Sequence, residues 1–160
     1  MILGMSVASF TLLHVVISLV GILTGAVVLF AMLGNRRLTG WTEVFLATTI
    51  LTSATGFLFH SRSIGPPHVV GAISLIVLAI ALLALYGRRL AGAWRPVFIV
   101  CAVLTLYLNC FVGVVQAFQK LAFLQPLAPT QSEPPFLAAQ GAVLLLFAIL
   151  GFLAVRRYRA

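Results

Sequence analysis

The chain has 160 residues, 62% hydrophobic and 8% charged, with ten Lys and Arg against two acidic side chains and a net charge of +8. A soluble domain carries about a quarter charged residues, so a chain this apolar has no water-soluble fold at this size, and the bilayer must act as its solvent. In a soluble protein so basic a balance would suggest nucleic acid; here the positives lie in short segments between apolar runs, which makes them topology signals and argues against a nucleic-acid partner.

The first apolar run, residues 10–33, holds no full charge. At ~1.5 Å per residue it can cross ~30 Å of hydrocarbon as a helix. Residues 1–9 contain no Lys or Arg, so the positive head of a secretory leader is missing and the run reads as a retained span. A loop with Arg36, Arg37 and the interfacial Trp41 follows. The second span is expected at 42–60, and Gly65-Pro66-Pro67 breaks the chain after it. The third is expected at 68–87, followed by a loop with Arg88, Arg89, Trp94 and Arg95. The fourth is expected at 97–119. A proline-rich connection to residue 135 leads to the fifth, at 136–155, and the tail carries Arg156, Arg157 and Arg159.

With five spans the two ends lie on opposite sides. Eight of the ten Lys and Arg then share one side, and only Arg62 and Lys120 fall on the other. The positive-inside rule puts the N-terminus outside and the C-terminus inside. The expected fold is therefore all-α: one polytopic membrane domain over residues 1–160, a bundle of five transmembrane helices.

Counting about 20 residues outward from the cytoplasmic end of each span brings His14, His60, His68, Gln116 and Gln140 to one layer near the outer leaflet. Helical phase adds direction. Thr105, Asn109, Gly113, Gln116 and Lys120 form one stripe at 3.6-residue spacing. Thr11, His14, Ser18, Gly21 and Gly25 form another, and Thr49, Ser53, Gly56 and His60 a third. Polar stripes avoid lipid, so these faces should turn toward each other, and Gly21-x-x-x-Gly25 and Thr52-x-x-x-Gly56 would let backbones approach closely.

The outer histidines admit two readings. Neutral imidazoles on different helices are the usual ligands of haem b or a transition metal, and a His with a Gln or Asn donor suits a quinone headgroup. The plainer reading is interfacial or interhelical hydrogen bonding. Asn109, the deepest strong polar group, reads as glue between helices, or, with Thr105 and Gln116, as the lining of a transport path. Glu43 complements the start of its helix. Pro134 and Pro135 pre-set the last span, with Ser132 as its expected cap. Cys101 and Cys110 sit ~13 Å apart along one helix, too far for a mutual disulfide. No nucleophile elbow, Walker A or dinucleotide-binding glycine motif is present, and there is no Asp.

Several stretches carry a resemblance. They are Leu38-Thr39-Gly40-Trp41-Thr42-Glu43-Val44-Phe45-Leu46-Ala47-Thr48-Thr49 running on to Thr52-Ser53-Ala54-Thr55-Gly56-Phe57, Gly92-Ala93-Trp94-Arg95, Leu106-Tyr107-Leu108-Asn109 and the loop 127–136. Together they resemble a group of small uncharacterised bacterial multi-span inner-membrane proteins, over nearly the whole chain. The resemblance implies a bacterial inner-membrane location and no particular activity. A fainter similarity is to another uncharacterised multi-span family with a His in its first span; that family's His-Arg after the first loop is replaced here by Gly40-Trp41-Thr42, and no functional residue is carried over.

The function expected first is that of an accessory or structural membrane module whose partners are the bilayer and other membrane proteins or further copies of itself. A redox protein binding haem, metal or quinone in the outer His/Gln layer, and a small oligomeric transporter or channel, are the alternatives.

Overall fold

The computed structural model describes residues 1–59 and 63–159, and its elements are helices: α1 (Val7–Leu33), α2 (Thr39–Gly56), α3 (Pro66–Leu82), α4 (Trp94–Lys120) and α5 (Pro134–Arg157). Each start has a local cause. The Ser6 side chain accepts the Ser9 N–H at 3.1 Å and caps α1. Prolines open α3 and α5, where a missing N–H costs nothing. The N-cap of α5 is Glu133 rather than the expected Ser132. With Pro134 and Pro135 filling the first two helical positions, Ser132 stands one residue too early; its hydroxyl instead lies 2.6 Å from that of Thr130.

The helix ends on the arginine side are unusual. α1 closes with Arg36 N–H on Ala31 O at 2.8 Å and Asn35 N–H on Met32 O at 3.0 Å, with Asn35 left-handed at φ 54°. This is the Schellman pattern, with Asn in the place glycine most often fills. α3 widens into a π turn over Leu83–Gly87. Arg89 and Leu90 then both take positive φ, at 49° and 58°, a strained conformation for side chains of their size. What holds them is Leu90, buried in the core with its N–H on Ala84 O at 2.9 Å.

α1 packs on α2, α2 on α3, α3 on α4, and α4 closes back on α1. The four form a ring of neighbours in chain order. α5 lies outside it against α4 and α1, and of its residues only Phe136 and Ala154 are buried. The main apolar core joins Val28, Leu29 and Met32 to Phe45, Leu78, Ala81, Leu90, Phe98, Ile99 and Tyr158, so it fills the arginine end.

Among the described residues four helices are long and apolar enough to cross a membrane: α1, Pro66–Gly87, α4 and α5. α2 is the exception, with 18 residues that include six threonines and Ser53. Its buried face mixes hydroxyls with Phe45 and Leu46, and its exposed face carries apolar side chains. Thr42, Thr49 and Ser53 are buried, whereas Val44, Ala47, Leu51 and Ala54 are exposed. Five of the six threonine hydroxyls donate to carbonyls four residues back: Thr42 to Leu38, Thr48 to Val44, Thr49 to Phe45, Thr52 to Thr48 and Thr55 to Leu51, at 2.7–2.9 Å.

Close approach of α1 to its neighbours depends on Gly25. A Cβ there would lie 2.7 Å from both Leu106 Cδ1 and Phe45 Cε2, and both side chains are themselves buried. Gly25→Ala should therefore cost about 1–3 kcal/mol by overpacking, measured by unfolding in mild detergent. Gly40→Ala, where a Cβ meets nothing within 4 Å, should show no loss.

Candidate functional site

The polar faces of α1, α2 and α4 meet away from the arginine end. Antiparallel pairing of α1 with α2 sets His14 opposite Thr55 and Gly21 opposite Thr48 and Thr49. His14 Nδ1 and Thr55 Oγ1 are 2.7 Å apart. Because the Thr55 hydroxyl donates to Leu51 O, its oxygen is left to accept, and the neutral His14 ring carries its proton on Nδ1. That tautomer leaves Nε2 as an acceptor. Phe59 packs edge-on against the ring at 5.2 Å, and Phe10 packs on Phe59 at 5.1 Å. Lys120, in the last turn of α4, lies within electrostatic reach of His14.

One or two turns deeper, Gly21 leaves room for three side chains. A Cβ at this position would sit 3.3 Å from the hydroxyls of Thr48 and Thr49 and 3.6 Å from Asn109 Nδ2. Asn109 Nδ2 makes a long hydrogen bond, 3.5 Å, to Thr49 Oγ1. Gly25, Phe45 and Leu106 then close the column, and the apolar core continues to the arginine end. Thr105, completely buried, belongs to that closed half; its hydroxyl bonds back to Cys101 O at 2.8 Å. The column is polar on one side only.

The remaining sequence candidates divide. Gln116 is half-buried on α4. Gln140 joins α5 to α4 through Nε2 on Phe111 O at 3.1 Å, and its Oε1 is buried with no hydrogen-bond partner among the described residues. His68 lies on α3, its Nδ1 accepting the Gly65 N–H at 3.3 Å and its ring packed on Phe57 at 5.7 Å. It thus secures the start of α3, with the tautomer opposite to that of His14. His60 lies outside the described residues. Cys101 and Cys110 are free thiols, and among the described residues no three His, Cys, Asp or Glu side chains stand close enough to hold a metal ion.

Thr55 carries no signal of its own in the sequence, since it sits one position off the Thr49/Ser53/Gly56 stripe. Antiparallel register would have found it: if Gly21 faces Thr48, then His14, seven residues back, faces Thr55. The loop after α4 held a second unread pattern. Three glutamines satisfy one another and the end of α4: Gln125 Nε2 donates to Gln119 O at 2.6 Å, Gln131 Nε2 to Val115 O at 3.1 Å, and Gln119 Nε2 to Gln131 Oε1 at 3.4 Å. A recess of about 300 Å³ lies among Phe118, Gln119, Gln125, Thr130 and Gln131. Glu133 then gathers the turn before α5, accepting the Thr130 hydroxyl at 2.7 Å and the Thr130 and Ser132 N–H groups, each at 3.1 Å. The Thr130 hydroxyl, more than any other contact, holds the Glu133 carboxyl below the usual glutamate range.

No protein-family model, curated protein or solved structure matches this chain.

Two outcomes follow from this geometry. Thr55→Val removes the interhelical bond of His14 and should lower stability by about 0.6–2 kcal/mol, read by detergent unfolding, with the helical content of the folded state unchanged. Glu133 binds its proton less readily in the fold than in the open chain, so its support of the turn is full above the ordinary glutamate pKa and is lost as pH falls through its depressed value. Proteolysis of the loop should therefore rise only in strong acid, and Thr130→Val should move that rise to higher pH.

Proposed function

We propose that this chain is a five-span protein of the bacterial cytoplasmic membrane, N-terminus outside and C-terminus inside, acting as an accessory or structural module without chemistry of its own. The resemblance in loops and spans to small bacterial inner-membrane proteins supports the location. The polarity of α2 supports the span count: a helix with hydroxyls inward and Val44, Ala47, Leu51 and Ala54 outward suits lipid and not water. At ~1.5 Å per residue α2 covers ~27 Å, close to the hydrocarbon thickness. Charge supports the orientation, since the arginine-bearing first loop and tail meet at one end, where Arg159 N–H donates to Asn35 Oδ1 at 2.7 Å.

The observation that carries the functional reading is how the polar groups are used. His14 bonds to Thr55, Asn109 to Thr49, Gln140 to Phe111 and His68 to Gly65. These bonds fasten helices or helix ends. The apolar half below Gly25 closes any path through one chain, which weighs against the transporter reading. The redox reading keeps one support, the acceptor Nε2 of His14 beside Phe59.

Absorbance spectra, oxidised and reduced, with metal analysis of the protein purified in mild detergent, test the reading. A structural module gives a colourless, metal-free protein. A Soret band, or a stoichiometric metal lost in His14→Ala, replaces it with the redox reading. For topology, a cysteine introduced at Thr130 in a chain with Cys101 and Cys110 replaced should react with impermeant maleimide on intact cells. One introduced at Arg89 should react only after lysis.

A further inference from the structure

The crevice that holds His14 is closed at its depth and open at its side, and helix fastening leaves part of its hydrogen-bonding capacity unused. Distances fix its walls. A Cβ on Gly21 would lie 3.3 Å from the hydroxyls of Thr48 and Thr49 and 3.6 Å from Asn109 Nδ2, and one on Gly56 would lie 3.8 Å from His14 Cε1. His14 stands seven residues before Gly21 and so on the same face of α1. Toward the arginine end Phe45 and Leu106 close on Gly25, with Leu106 2% and Thr105 0% exposed. Gly113, seven residues beyond Leu106 on the same face of α4, is exposed. A Cβ on it would meet only Ile22 Cδ1 among the described residues, at 3.9 Å. The seam between α1 and α4 therefore parts on the His14 side of Asn109. Phe10, 1% exposed, packs on Phe59 at 5.1 Å, and Phe59 on His14 at 5.2 Å. These rings cover the crevice beyond His14, so its opening faces sideways, within the span.

Most polar atoms of the crevice are acceptors. Ser18 donates its hydroxyl proton to Val15 O at 2.8 Å, and Thr48, Thr49, Thr52 and Thr55 donate theirs to carbonyls one turn back. Each oxygen can still accept. The Nδ1–H of His14 is held by Thr55 at 2.7 Å, so Nε2 is an acceptor, and it makes no hydrogen bond among the described residues. A ligand here must therefore bring the proton. It must also be uncharged. Both carboxylates of the chain lie elsewhere, Glu43 near the start of α2 and Glu133 before α5. A cation finds no counter-charge, and walls of acceptors repel an anion. A sideways opening within the span and the rings at the crevice end call for an apolar body. A flat aromatic ring bearing a hydroxyl, a phenol or quinol, meets all three conditions. A quinone, which only accepts, does not.

We propose that His14, Asn109 and the threonine face of α2 form a binding site for a lipid-soluble phenol or quinol, entered between α1 and α4 at Gly113, with the ligand hydroxyl donating to His14 Nε2. The step is binding, with no electron transfer. It adds a ligand to the module proposed above and does not depend on that reading.

Binding of tetramethylhydroquinone, its quinone and its dimethyl ether to the chain in lipid nanodiscs, measured without oxygen and against empty nanodiscs, tests it. The hydroquinone should bind about three- to tenfold more tightly than the ether or the quinone, the scale of one hydrogen bond. His14→Asn, whose amide can still donate to Thr55, should remove that preference and leave binding of the ether unchanged. Gly113→Leu, which fills the seam, should bring all three probes down to the empty-nanodisc level, whereas Gly40→Ala should change nothing. Equal binding of hydroquinone and ether in the unaltered chain, or a preference that survives His14→Asn, would overturn the bond to Nε2. Binding that survives Gly113→Leu would overturn the entry seam. No binding above empty nanodiscs would overturn the site, and this comparison of probes needs no variant.

Discussion

Hydrocarbon offers no partner to a hydroxyl, an amide or a backbone group, and most of the threonine hydroxyls of α2 are arranged to need none from outside the chain. The helix carries more hydroxyls than any other element, yet five of its six threonines spend their protons on carbonyls one turn back. A back-bonded threonine presents an oxygen that can still accept. His14 and Asn109 use that capacity, one through Thr55 and the other through Thr49. The same side chains thus satisfy themselves and join helices. Interhelical bonds of this kind contribute only about 0.6–2 kcal/mol each, so they orient the faces more than they hold the bundle together.

Packing supplies the rest, and it is uneven. Gly21 and Gly25 bring α1 onto α2 and α4 at the level where the polar column ends and the core begins. Below Gly25 the contacts are large and apolar, Phe45 against Leu106 and then Leu78, Phe98 and Ile99. Above it His14, Ser18, Thr52 and Gln116 are half-buried, and Gly113 is exposed. Tight packing at one end and looser polar packing at the other follow from glycine position alone: where α1 has no side chain the neighbours close in, and where it carries His14 and Ser18 they stand apart.

Much of this was legible. Apolar length and proline punctuation place all five helices within a few residues, and the 3.6-residue stripes match inward faces on α1 and α2 and, on α4, hold at Thr105 and Asn109 but not at the exposed Gly113 and Lys120. Gly21, Thr49 and Asn109 meet as those stripes require. What the stripes omit is register. Thr48 and Thr55 lie beside the α2 stripe and emerge as contacts only once α1 is aligned against them. Depth along a span is likewise a poor guide to partnership: His14 and His68 belong to the same layer by counting, yet one faces Thr55 and Phe59 while the other secures the start of its own helix against Phe57. The glutamine-linked loop and the left-handed Leu90 depend on contacts between segments distant in sequence, for which a single chain offers no periodic signal.

The two ends of the bundle consequently ask different things of their surroundings. At the end with His14, most polar groups find partners inside the chain: Gln119, Gln125 and Gln131 bond one another and the end of α4, and Glu133 is surrounded by donors, while the buried Gln140 Oε1 has no partner among the described residues. At the other end the first loop and the tail are joined by Arg159 N–H on Asn35 Oδ1, and the one acidic side chain there among the described residues, Glu43, is exposed on α2. There the loop between α3 and α4 is fixed by Leu90, buried in the core in a left-handed conformation with its N–H on Ala84 O. A net positive end of this kind draws its counter-charge from solvent ions and from any anionic surface beside it.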